Sequence, residues 1–135
     1  MMKILIAGTI AGLFSGVLAL FLTLINNAVI GLPHIYSTAS IIPIQNIAIN
    51  EILLGVIWGI IFSIFYSILY DSIPGQGVSK GLVYSMIVLL FSHIRWVPYN
   101  VYYGFAPSGL TSAYIGFLMF ATYGLLLGHL YKPPK

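Results

Sequence analysis

Charge is almost absent from this chain, whose 135 residues include five lysines or arginines and two acidic residues while 60% are hydrophobic. Soluble domains hold about 25% charged residues, so the 5% present here cannot clothe a water-facing surface. Most of that surface must meet lipid or other protein. The expected fold is therefore an all-α integral membrane protein. Cysteine is absent, which excludes disulfides, thiolate metal sites and cysteine nucleophiles. A net charge of +3, scattered along the chain, does not point to nucleic acid.

Four apolar runs punctuate the sequence, and about 20 apolar residues suffice to span a bilayer. They predict a single four-helix transmembrane domain over 1–135, with helices at about 4–25, 47–70, 81–96 and 110–131. The first run exceeds the apolar core of a secretory signal, about 7–15 residues, and reads as a retained helix. It carries Gly8, Gly12 and Gly16 at four-residue spacing, and the second run carries Gly55 and Gly59, continued by Ser63 and Ser67. The fourth carries Gly124 and Gly128. Small residues so spaced let helix backbones approach closely in lipid. They are expected to mediate helix packing, within the chain or between copies.

Between the first two runs, residues 31–47 form an apolar loop with Pro33, His34 and Pro43 but no lysine or arginine. The segment Asp71-Ser72-Ile73-Pro74-Gly75-Gln76-Gly77 reads as a tight turn. Pro98 disfavours continuing the third helix through Val97, and Trp96, Tyr99, Tyr102 and Tyr103 resemble an interfacial aromatic belt. Lys3, Lys80, Lys132 and Lys135 fall on one side of a four-helix arrangement and Arg95 on the other. The positive-inside rule then places both termini in the cytoplasm, and the membrane is expected to be a prokaryotic cell membrane. An internal repeat is visible too. Gly12-Leu13 and Gly16 align with Gly81-Leu82 and Ser85, while Gly55 and Ser63 align with Gly116 and Gly124. Two repeated hairpins, or a chance match of apolar helices, account for it.

Ionisable residues can be placed by depth. Glu51 precedes Asp71 by 20 residues, about 30 Å of helix, and Arg95 follows Val78 by 17, about 25 Å. Both therefore reach the same outer level, where an unpaired charge is costly. An ion pair or polar cluster of Glu51 and Arg95 with Asn50 and Ser92 is expected there. His93 is rotated about 160° from Arg95 around the helix, so His93, with His34 and Trp96, is a candidate contact for a partner or ligand. Polar residues at headgroup level are the alternative explanation for all of these.

No catalytic residue, metal site or cofactor is expected. No serine–histidine–aspartate set or phosphate-binding loop occurs, the two acids lie far apart, and neither sits at mid-membrane. No motif carries a resemblance to a known family. The expected role is that of a small non-catalytic subunit stabilising an assembly, its partners being the lipid bilayer and either larger integral membrane proteins or further copies of itself. A homodimeric channel or transporter using the Arg95/Glu51 cluster is the alternative. A metal- or haem-carrying electron-transfer subunit is a third, which would call on His34, Glu51 and His93.

Overall fold

Runs of leucine, isoleucine and glycine with almost no polar interruption leave the backbone no partners but its own, and the computed structural model is helical throughout its described elements. It describes residues 2–29, 47–93 and 107–132. In order these form α1 (Met2–Val29), α2 (Ile47–Leu69), a 3-10 turn (Tyr70–Ser72), α3 (Gly77–His93) and α4 (Pro107–Leu130). Three stretches are long and apolar enough to cross a membrane, Met2–Asn26, Glu51–Ser72 and Ala113–Leu130, while the apolar part of α3, Gly77–Ser92, is shorter.

Helix ends differ from the sequence expectation in ways with local causes. Helix α1 runs past Asn26 to Val29, and the Asn26 side chain is fully buried, so it serves the interior and not a cap. Helix α3 starts at Gly77 because the Ser79 hydroxyl accepts the Gln76 N–H at 3.1 Å, satisfying a donor at the helix start. This brings Lys80 into the first turn. Helix α4 starts at Pro107, whose missing N–H costs nothing in a first turn. The α2–α3 turn relies on Gly75 and Gly77, with φ of +97° and +49°.

Helix α1 lies against both α2 and α4, and α3 lies against α4. Two of these contacts are backbone to backbone. Gly8, Gly12 and Gly16 interlock with Gly55, Gly59 and Ser63, and Gly77, Gly81 and Ser85 interlock with Gly124 and Gly128. A constant 69 positions separate Gly12 from Gly81, Gly55 from Gly124 and Gly59 from Gly128 (81 − 12, 124 − 55, 128 − 59). The contact register thus matches α2 to α4 at Gly124 and Gly128, eight residues further along than the sequence alignment on Gly116 and Gly124. Position along the partner helix sets the equivalence, and side-chain likeness between apolar helices does not.

The buried core gathers Ile4, Ala7 and Ala11 of α1 with Tyr66, Ile73, Tyr84, Tyr123 and Leu127. It lies towards the end of the bundle that holds Lys3, Lys80 and Lys132, the lysine end. Outward faces are apolar on every helix. Phe14 and Phe21 of α1, Phe65 and Ile68 of α2, Leu90 and Phe91 of α3, and Phe117 of α4 are all exposed.

Candidate functional site

Among the described residues, polar chemistry concentrates at the lysine end and takes the form of a tyrosine cluster around a buried lysine. Tyr66, in the last turn of α2, and Tyr70, the first residue of the 3-10 turn that continues it, are four residues apart and share a face. Tyr84 of α3 and Tyr131, just beyond α4, meet them. The Tyr66 ring lies 5.4 Å from Tyr70, 5.0 Å from Tyr84 and 5.9 Å from Tyr131, centroid to centroid. Tyr70 and Tyr131 are 5.6 Å apart and nearly perpendicular, the edge-to-face geometry that ring quadrupoles favour.

Lys80, one turn before Tyr84, is only 8% exposed. Its ammonium donates to the Tyr70 carbonyl at 2.6 Å and stands 4.1 Å from the centroid of the Tyr70 ring. A desolvated cation over an aromatic face is stabilised by about 2 kcal/mol. Carbonyl and ring together stand in for a counterion, and they fasten the start of α3 to the 3-10 turn that follows α2.

Tyr84 and one further tyrosine, Tyr123, bind α2 from the side. The Tyr84 hydroxyl donates to the Phe62 carbonyl at 2.7 Å, and the Tyr123 hydroxyl donates to the Gly59 carbonyl at 2.8 Å. Tyr66 differs. Its side chain is fully buried, and its hydroxyl has no partner among the described residues. The Thr23 hydroxyl, near the opposite end of α1, is likewise buried without a partner among the described residues.

Most of the residues expected at the outer level lie elsewhere in the chain. His34, Arg95 and Trp96 fall outside the described residues, as do the side chains of Asn50 and His93. The Glu51–Arg95 pair and the three-segment histidine set therefore fall outside them too. Glu51 is half-buried in the first turns of α2, with its backbone against Gly16. Ser92 is exposed, and its hydroxyl donates to the Leu89 carbonyl at 2.8 Å. On the face of α3 that carries it, Gly81 and Ser85 are buried. Among the described residues no group of three histidine or acidic side chains could hold a metal ion.

The tyrosine cluster was not singled out in the sequence, although its signal is present. Tyr66 and Tyr70, and Lys80 and Tyr84, each recur at i and i+4, the spacing of neighbours on one helix face. Chemically the cluster supplies hydroxyl donors and one cation, and Lys80, Tyr84 and Tyr123 spend theirs on backbone carbonyls of neighbouring helical segments. Compared with protein-family models, curated proteins and solved structures, the chain matches none.

Proposed function

We propose that this protein is a small non-catalytic integral membrane subunit that stabilises an assembly of larger membrane proteins. One observation carries the reading. The α1–α2 and α3–α4 seams are given over to backbone contact, whereas every helix turns large apolar side chains outward. At Gly55 and Gly59 there is no room even for a methyl group. Recognition is therefore left to the outside, where Ile68, Leu90 and Phe91 are each about 70% exposed (71%, 70% and 71%). In this reading α1 to α4 all cross the bilayer, and the positive-inside rule puts the lysine end in the cytoplasm.

Gentle-detergent purification from native membranes, with mass analysis of the recovered proteins, tests the proposal. Larger membrane proteins recovered in fixed stoichiometry support it. A bare monomer or homodimer overturns it and favours the channel or transporter reading with its Arg95/Glu51 polar site.

A further inference from the structure

The lysine end carries an unbalanced charge beside an apolar groove. Lys3, Ile6, Ala7 and Ile10 of α1, with Leu130 of α4, line a cleft of about 200 Å³. These α1 positions recur at i, i+3, i+4 and i+7, so they form one stripe along the helix. The stripe begins at a charge and continues apolar for seven residues, about 10 Å. Lys132 follows Leu130 by two residues and, like Lys3, is exposed. Among the described residues neither ammonium meets a carboxylate, and the one acid at this end, Asp71, is exposed at the α2–α3 turn. The charge of Lys80 is already committed to Tyr70. Lys3 also stands in the first turn of α1, where the helix dipole opposes a cation unless an anion is near.

We infer that the α1–α4 groove is a binding site for an anionic phospholipid of the surrounding bilayer. The phosphate is held between Lys3 and Lys132, and the upper part of one acyl chain lies along Ile6, Ala7 and Ile10. Basic residues beside a groove between transmembrane helices provide the attraction that such headgroups need. The inference rests on the membrane-spanning reading.

The test uses the full chain in mild detergent doped with phosphatidylglycerol or phosphatidylcholine, with retained lipid read by native mass spectrometry. Phosphatidylglycerol is expected to be retained in preference, and free inorganic phosphate is not expected to displace it. In the Lys3→Gln/Lys132→Gln variant the preference should fall roughly 25-fold, two charges at about fivefold each. Lys3→Arg/Lys132→Arg should keep it, which separates charge from folding. Equal retention of both lipids, or an unchanged preference in the glutamine variant, overturns the inference, as does displacement by phosphate. Release of the chain from membranes by alkaline carbonate would instead overturn the membrane-spanning reading itself.

Discussion

Replacing Gly59 by alanine puts a single methyl group where α1 and α2 touch. A Cβ there would stand 2.6 Å from the Gly12 Cα, 2.6 Å from the Gly8 carbonyl oxygen and 3.0 Å from the Gly12 nitrogen. Favourable carbon contacts lie at about 3.5–4.0 Å, so the helices must separate locally by about 1 Å. All three obstacles are backbone, and no rotamer change relieves them. Overpacking of this kind costs about 1–3 kcal/mol. Alanine is favoured over glycine inside a helix by about 1 kcal/mol, which offsets part of that. Displacing the Gly59 carbonyl also strains its 2.8 Å bond from Tyr123. With about 0.6 kcal/mol for that bond, the expected net loss is about 0.6–2.6 kcal/mol. Equilibrium unfolding in mixed micelles of rising SDS fraction, monitored by tryptophan fluorescence, measures it. Leu90→Ala, on an exposed face of α3, should stay within about 0.5 kcal/mol of the parent and serves as the comparison. A Gly59→Ala protein as stable as the parent, or more stable, would refute the backbone contact, because helix propensity alone would then be acting.

The same assay separates the tyrosines. Tyr66→Phe removes a buried hydroxyl with no partner among the described residues and should stabilise by about 1 kcal/mol, whereas Tyr123→Phe removes a made bond and should destabilise by about 0.6 kcal/mol. Shifts of the same sign for the two would count against these hydrogen-bond assignments. Gly75→Ala should cost about 1 kcal/mol or more, since φ is +97° there, and Gly75→Asn should cost less. Because the chain lacks cysteine, Asp71→Cys gives a single thiol at the α2–α3 turn. An impermeant maleimide should label it from the cytoplasmic face only, and labelling from the outer face would reverse the orientation.

How much of the fold and the site was legible depended on whether the signal was local. The four helices and the glycine turn at Gly75 and Gly77 derive from apolar run length and backbone freedom, both written in short windows of sequence. Helix ends were harder. Asn26 looks like a terminator because its side chain competes with the backbone, yet a buried position fixes it inside α1. The start of α3 depends on one Ser79 hydroxyl, which moves Lys80 from a lead-in to a helical face. The tyrosine–lysine cluster joins α2, α3 and the end of α4. Each segment shows only a pair of residues, and their convergence is a property of the bundle. The repeat register failed for the related reason that leucine-rich helices match at many offsets, while only the interlocking of Gly12 with Gly55 and of Gly81 with Gly124 fixes one.

In the proposed subunit, contact with larger membrane proteins falls to the outward faces of the helices. A photoreactive phenylalanine analogue placed singly at Phe14, Phe65, Phe91 and Phe117 puts one probe on an exposed face of each helix. After illumination of native membranes, at least one position is expected to yield a discrete adduct with a larger membrane protein while others label lipid alone. Labelling of lipid alone at all four positions, with the protein inserted and folded, would contradict it.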